Sequence, residues 1–233
     1  MIVILYLCLL IIIFFFIERK SSKSGYTYKN SEYFQITHLP FLNLRADKGK
    51  FGEYMIYKSL YSLPGYKKFL FNVYVPKNDE TTEIDILLLH ETGLYVFESK
   101  NYDGWIFGKE EQYKWTQVLL TGNKSSKFYF YNPIKQNKTH VKYLKKYLSN
   151  YNLVIFPYIV FNNQCRLKDI NVNKDTKVLY RKEILSDIKQ NTVKMYTPEI
   201  IDEIYLKLYP LTQDQTIKEQ HVKNIQKHIN DKF

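Results

Sequence analysis

Acidic and basic residues stand at the ends of two neighbouring apolar segments. Asp85 lies near the start of EIDILLLH, and LYVFESK ends with Glu98, Ser99 and Lys100. Because a strand alternates its faces, Glu98 and Lys100 point the same way and Ser99 points to the other face. If the two segments pair as a hairpin, their similar lengths bring Asp85 opposite the Glu98 end of its neighbour. The spacing therefore predicts that two carboxylates and one ammonium converge.

This convergence has two chemical interpretations. Three buried charges are costly unless they pair with one another or hold a cation. Carboxylate and carbonyl oxygens are the ligands that Mg²⁺ and Mn²⁺ prefer, and Lys100 could then orient and help to deprotonate a water on that cation. The alternative is a surface salt bridge between Lys100 and one acid at the ends of ordinary strands. The spacing alone leaves both interpretations open.

The surrounding pattern predicts the elements that position these residues. A helix begins near Asp47 and ends before a Pro-Gly pair. FLFNVYV, EIDILLLH and LYVFESK predict three strands, and the last two form a hairpin. After an aromatic stretch punctuated by glycines, to which no strand is assigned, a second helix begins at Asn132 and Pro133. LVIFPYIVF then predicts a buried strand, so the order indicates a mixed α/β domain over residues 47–165.

Two further segments flank this predicted domain. Residues 18–46 show no sustained period and contain SSKSG, so they are interpreted as a tether. Residues 166–233 are interpreted as a C-terminal α/β extension packed on or following the core. Within it we expect a short strand at VLY, a helix that begins at Pro198, and a weaker helical segment near the end.

Residues 1–17 (MIVILYLCLLIIIFFFI) are all apolar. As a helix they would rise about 25 Å, close to the roughly 30 Å hydrocarbon core, and Arg19 and Lys20 can reach the lipid surface. With no basic residue before the run and no small-residue cleavage site after it, an uncleaved transmembrane anchor is favoured over a signal peptide. The positive-inside rule then predicts a single-pass protein of the cell membrane whose C-terminal domain is cytoplasmic.

Composition excludes several classes of protein. The 233 residues are 45% hydrophobic, which allows one core and excludes disordered, collagen and coiled-coil chains. Two cysteines exclude a disulfide scaffold and a Cys-rich zinc site, and Cys165 is expected to be a structural thiol. The histidines show no metal-ligand spacing. His140 lies one turn after Gln136, a spacing that would let it face the predicted carboxylate site, but a position in the core or on the surface is favoured. Trp105 and Trp115 are expected to be packing residues.

Several separated motifs together resemble the nuclease-related domain family, known as NERD. GEYMIYKSL supplies a Gly-Glu helix, and TEIDILLLHETGLYVFESKNYDGWIFG supplies an Ile-Asp strand, a Gly-led strand ending Glu-x-Lys-Asn and a Gly-x-Ile-x-Gly turn. YKWTQ and YNPIKQNKTHVKYL supply a Trp and Asn-Pro-x-x-Gln, so the resemblance runs from residue 48 to about 165. The family is similar to the restriction-endonuclease-like PD-(D/E)xK fold, which implies an αβββαβ core behind the N-terminal transmembrane helix.

The resemblance implies roles for individual residues. Asp85 and Glu98 match the metal-binding acids, and Lys100 matches the motif lysine. Glu53 matches an acidic helix position and would complete the metal shell or assist catalysis, directly or through water. Gln136 matches the family's glutamine and would position the water or a phosphate. Without the resemblance, Glu53 and Gln136 would be interpreted as solvated polar residues.

The charge of the chain adds a second argument. The formal net charge is +11, and lysines decorate the predicted helix after Asn132 at positions 135, 138, 142, 145 and 146. Lysines beside an acidic metal site would attract a polyanion, although a merely solvated face or contact with anionic lipid are alternatives. We therefore predict a membrane-anchored, divalent-metal-dependent nuclease acting on nucleic acid, with DNA favoured. The alternative is a non-catalytic module that binds nucleic acid or a partner at the membrane.

Overall fold

A five-stranded mixed sheet lies at the centre of the structure, a computed structural model that describes residues 25, 27–173 and 176–230. Its strands are β1 (Lys67–Lys77), β2 (Glu80–His90), β3 (Gly93–Lys100), β7 (Ile155–Phe161) and β9 (Lys177–Tyr180), in the order β1-β2-β3-β7-β9. β1, β2 and β3 are antiparallel neighbours, whereas β7 runs parallel to both β3 and β9. The mixed α/β class predicted from the sequence is confirmed.

Helices cover both faces of this sheet. On one face, α3 (Lys48–Leu60) packs together with α1 (Glu32–Thr37) and α2 (Phe41–Ala46). On the other face lie α4 (Pro133–Tyr147) and α6 (Pro198–Leu208). Leu88 of β2 belongs to the core on the α3 side, and Leu87 belongs to the core on the α4 side. Both faces of this strand are therefore buried. This double burial explains the nearly continuous apolar run of the strand.

A second, four-stranded sheet interrupts the predicted core between β3 and α4. Its strands are β4 (Trp105–Lys109), β5 (Lys114–Thr121), β6 (Lys124–Tyr131) and β8 (Arg166–Asn171), in the order β6-β5-β4-β8. The sequence analysis assigned none of these four strands. For β6 the reason is that the strand is exposed along almost its whole length and shows no alternation of apolar and polar residues. Trp115 is fully buried and contacts the backbone of Gly108, where an added Cβ would lie 2.1 Å from the indole ring.

The interpretation of residues 18–46 as a tether needs correction for the part that the structure describes. α1 and α2 lie in this segment, and the rings of Tyr28 and Tyr33 are completely buried. Tyr33 packs 4.7 Å, centroid to centroid, from Phe71 of β1. Each helix is only six residues long, so neither produces a helical period that a sequence window could detect.

The C-terminal part completes both sheets. β8 pairs in parallel with β4, and β9 pairs in parallel with β7. The remaining helices are α5 (Ile184–Ile188), α7 (Pro210–Gln213) and α8 (Gln215–Asn230). The proposed anchor, residues 1–17, lies outside the described residues. In the portion that is described, no helix combines the length and apolarity needed to span a bilayer.

Candidate active site

Asp85 meets the backbone of β3 where the ladder between β2 and β3 ends. The paired residues run as far as Ile86 and Phe97. Beyond this pair, the carboxylate of Asp85 takes the place of a backbone carbonyl as the hydrogen-bond acceptor. Its Oδ2 accepts a hydrogen bond of 2.8 Å from the backbone N–H of Ser99. The sequence analysis placed Asp85 opposite the Glu98 end of β3, and the structure brings it there.

Glu98 is the most enclosed residue of the site, with 1% of its surface exposed. Its Oε1 accepts a hydrogen bond of 2.6 Å from Lys100 Nζ, so Glu98 and Lys100 share a face of β3 as predicted. Lys100 also donates to Oε1 of Gln136 on α4, at 3.3 Å. The structure therefore joins three of the predicted residues in one hydrogen-bonded chain.

Ser99 lies on the opposite face of β3, toward α3. A Cβ added at Gly52 would lie 3.1 Å from Ser99 Oγ and 2.8 Å from Cβ of Asn101, so α3 approaches the strand too closely for any larger residue. Gly52 therefore sets the distance between α3 and the sheet, and this fixes the position of the next residue, Glu53.

His140 contacts the site, the less favoured of the two positions that the sequence analysis weighed for it. Its Nε2 lies 3.0 Å from Glu98 Oε2, and its Nδ1 lies 2.6 Å from Thr82 Oγ1 on β2. The side chain is also buried, as expected for a core histidine, so the correction concerns its contact with Glu98. The signal for this contact is that His140 follows Gln136 by four residues, and residues at this spacing share one face of a helix.

The charges of the site shift one another's pKa values. Burial, reinforced by the charge of Glu98 and opposed by Lys100, raises the pKa of Asp85 to about 7. Burial acts to raise the pKa of Glu98 as well, but Lys100 and His140 outweigh it and leave the pKa below its ordinary value. Burial acts to lower the pKa of Lys100, but Glu98 and Asp85 reverse this effect and leave it raised. Lys100 is therefore an ammonium donor.

Glu53 occupies a separate cluster on the α3 side of the sheet. It accepts hydrogen bonds from Lys50 Nζ at 3.0 Å and from the Tyr33 hydroxyl at 3.1 Å. Lys50 also donates a hydrogen bond to Asn72, and its Nζ lies 3.5 Å from Glu83. One lysine therefore forms ion pairs with both Glu53 and Glu83. Burial, opposed by Lys50 and reinforced by Asp85, raises the pKa of Glu53 to about 8.

Asn72 links this cluster to Asp85. It lies on β1 between the residues that pair with Ile84 and Ile86, which makes it the neighbour of Asp85 across the strands. Its φ of 53° is in the left-handed region, which Asn tolerates better than most residues. This local break in the strand lets the Asn72 side chain accept a hydrogen bond from Lys50.

A cleft of about 580 Å³ adjoins these groups. Asp85, Gln136 and His140 are among the residues that line it. Other parts of the fold supply further lining residues: Lys77 on β1, Glu80 to Glu83 on β2, Tyr113 before β5, Lys114 on β5, Tyr131 on β6, and His221 and Asn224 on α8. Asp85 is thus accessible to a ligand in this cleft.

Asp85 and Glu98 form a donor set that is compatible with a hydrated cation. In the described ranges, no group of three or more His, Cys, Asp or Glu side chains is arranged to hold a metal ion. Mg²⁺ does not require such a group, because it keeps several waters and commonly binds through one or two carboxylates plus substrate phosphates. Asp85 accepts a hydrogen bond from the N–H of Ser99, the residue that follows Glu98, and the charge of Glu98 raises the pKa of Asp85, so the two carboxylates are neighbours.

The fold and the charged residues at its strand ends define an α/β protein of the nuclease-related class. The family model of the nuclease-related domain (NERD) matches residues 48–162, which include every residue that was predicted for the site. The chain belongs to this family, which is generally read as part of the restriction-endonuclease-like superfamily. It is also similar to an uncharacterized protein of Bacillus anthracis, with 35% identity over 190 residues that cover 80% of this chain and 85% of the relative. No solved structure matches the chain significantly.

Proposed function

We propose that this chain is a divalent-metal-dependent nuclease that hydrolyses phosphodiester bonds of nucleic acid, with DNA as the favoured substrate. The observation that carries the proposal is the hydrogen-bonded chain of Glu98, Lys100 and Gln136 beside Asp85, of which Asp85 and Gln136 line one cleft. A plain surface salt bridge would be exposed at the strand end, whereas Glu98 is 1% exposed and a second helix reaches its partner Lys100.

Asp85 and Glu98 would hold the cation, Mg²⁺ or Mn²⁺. When bound, such a cation stabilises the charge that develops on a phosphate oxygen and favours ionisation of a water nucleophile. Glu98 is prepared for this role because it is charged, and because Lys100 and His140 fix its two oxygens. One oxygen of Asp85, Oδ2, accepts a hydrogen bond from the N–H of Ser99.

Lys100 and Gln136 would act on the substrate. Lys100 is an ammonium held between Glu98 and Gln136, so it can donate a hydrogen bond to the nucleophile or to a phosphate oxygen. Gln136 holds Lys100 from α4 and lines the cleft. Glu53 would act at a distance, because its contacts are with Lys50 and Tyr33; we assign it a positioning role.

The apolar segment 1–17 would anchor this nuclease in the cell membrane. The proposal depends on its composition and on Arg19, Lys20 and Lys23, which follow it with no basic residue before it. A C-terminal green fluorescent protein fusion should then fluoresce at the membrane, and a C-terminal alkaline phosphatase fusion should be inactive. High phosphatase activity would reverse the orientation.

The activity can be tested with the full-length chain in mild detergent and DNA or RNA substrates. We expect cleavage in Mg²⁺ or Mn²⁺, no cleavage in EDTA, and none by a Glu98→Gln variant purified in parallel. Equal cleavage by parent and variant would show that the site assignment is wrong. A parent that binds nucleic acid but never cleaves it would favour the non-catalytic binding module instead.

A further inference from the structure

We propose that the hairpin formed by β5 and β6 is a base-stacking platform that feeds single-stranded nucleic acid into the candidate active site. The inference deepens the proposed function and rests on it, since it names the form of substrate that the cleft would receive. It depends on the residues between Tyr113 and Tyr131.

Large aromatic rings lie exposed on this hairpin. Tyr129 is 66% exposed, Tyr113 54% and Tyr131 41%. Packing in the core does not explain why these rings are present, because much of the apolar surface of each ring remains in contact with solvent. A group of exposed rings on one short hairpin therefore indicates a surface that binds something flat and apolar.

The strand geometry places two of these rings on one face. Phe130 lies opposite Trp115 and packs against it, with ring centroids 6.3 Å apart, so at Phe130 this face of the hairpin points to the interior, although Phe128 on the same face is 50% exposed. Because side chains alternate along a strand, Tyr129 and Tyr131 occupy the outer face. Two residues apart on one strand, they are separated by about 7 Å, which leaves room for a base against each ring.

The charge of the hairpin suits a phosphate backbone. From Tyr113 to Tyr131 the sequence contains three lysines, at positions 114, 124 and 127, and no acidic residue. Lys114 lies directly opposite Tyr131 across the two strands, and Lys127 is two residues before Tyr129 on the same strand. The outer face therefore carries two adjacent rings, Tyr129 and Tyr131, with an ammonium group beside each end of the pair, and rings combined with positive charge are what single-stranded nucleic acid binds.

The platform is continuous with the candidate active site. Tyr113, Lys114 and Tyr131 line the same cleft as Asp85 and Gln136. The rings of Tyr113 and Tyr131 meet edge to face, 5.2 Å apart, in the lining of that cleft. A strand stacked along β6 would thus lead its backbone toward Asp85.

The rings favour a single strand over a duplex. Base faces are buried by stacking within a duplex, whereas a single strand can offer each base to an aromatic ring. Stacking does not depend on base identity, so little sequence preference is expected. The proposal covers DNA and RNA alike, because neither a ring nor an ammonium distinguishes the sugar.

The test is a binding measurement in EDTA, which separates it from cleavage. Fluorescence anisotropy of the full-length chain in detergent would be recorded with labelled oligothymidylate, oligouridylate and a duplex of equal length. We expect both single strands to bind more tightly than the duplex. Tyr129→Ala should weaken single-strand binding by about 5- to 100-fold, the range for loss of one stacked base. Tyr129→Phe keeps the ring and should bind like the parent.

Matched controls make the outcome decisive. Tyr61 is an equally exposed tyrosine, at 63%, but lies at the end of α3 away from the cleft, so Tyr61→Ala should leave binding unchanged. Lys127→Gln should lower the salt slope of binding by about one. Equal affinity of the Tyr129→Ala variant and the parent would overturn the proposal, as would tighter binding of the duplex. Self-association that is lost in Tyr129→Ala, without binding of either strand, would also overturn it and assign the exposed β6 edge to a protein contact.

The two proposals fail in different ways. Cleavage without discrimination between single strand and duplex would leave the nuclease intact and remove the platform. Tight, ring-dependent binding of a single strand without cleavage in metal would keep the platform and remove the nuclease.

Discussion

His140 holds the carboxylate oxygen of Glu98 that Lys100 does not reach. Its Nε2 lies 3.0 Å from Glu98 Oε2, while Lys100 Nζ lies 2.6 Å from Oε1. Helix α4 thus fixes the orientation of Glu98, which lies on strand β3. Because Thr82 holds the other ring nitrogen, the orientation of the imidazole is also determined.

Loss of this contact should impair turnover more than folding. We expect His140→Leu to lower cleavage by about 10- to 100-fold, the range observed when a residue that orients a metal ligand is removed. Thr82→Val should produce a smaller loss in the same direction, and Thr82→Ser should restore it. The measurement is kcat and KM for each variant, with a melting curve as the check on folding. Unchanged kcat in His140→Leu would show that the contact has no role in positioning.

Glu53 should make the folded chain less stable as the pH rises. Its pKa is about 8 in the folded chain, against an ordinary 4.5, so the folded state binds more protons between these values. Stability therefore falls as pH increases from about 5 to about 8. Glu53→Gln removes this titration, and its melting temperature in EDTA should decline less over that range. Parallel curves for parent and variant would contradict the assigned environment.

Asn137 should anchor α4 to the sheet. Its amide donates hydrogen bonds of 3.0 Å to the carbonyl of Val96 on β3 and of 3.1 Å to that of Tyr158 on β7. Asn137→Ala removes both bonds in a fully buried position, so we expect a loss of about 1–3 kcal/mol in the free energy of unfolding. Denaturant titration would measure it. Lys142→Ala, on the exposed side of the same helix, is the control and should change stability by less than about 0.5 kcal/mol.

The lysines of α4 should contribute unequally to nucleic-acid binding. Lys138 Nζ lies 2.5 Å from Glu110 Oε1, so its charge is already compensated, whereas Lys142 and Lys145 are exposed. Replacing the latter two by Gln should lower the slope of log affinity against log salt by about 1.5, given 0.7–0.9 per contact. Adding Lys138→Gln should change the slope little further. A double variant with the slope of the parent would show that this face is only solvated.

The part of the site that lies within one hairpin could be predicted from the sequence. Alternation along β3 places Glu98 and Lys100 together, and the hairpin places Asp85 beside them, without any knowledge of tertiary packing. His140 could not be assigned in this way, because its contact depends on how α4 crosses the sheet.

Other features were missed for equally physical reasons. Tyr28 and Tyr33 are buried by short helices that produce no period, so the segment resembles a tether. The strand β6 is exposed along most of its length, so its sequence shows no alternation of apolar and polar residues. Its pairing with β5 is local, across the two-residue turn Gly122-Asn123, and this hairpin signal was not used in the sequence analysis. For the two short helices, the signal lies in long-range packing.

The central claim, that Asp85 and Glu98 share one divalent cation beside Lys100, is tested most directly by calorimetric titration of the full-length chain with Mn²⁺. We expect the parent to bind the cation, Asp85→Asn and Glu98→Gln to lose binding, and Lys100→Met to keep it while cleavage falls by about 10²–10⁴-fold. Melting curves should show all three variants folded. If the parent binds no cation, or if the two carboxylate variants bind it like the parent while all three melt at lower temperature, the cluster is a structural salt bridge and the account is wrong.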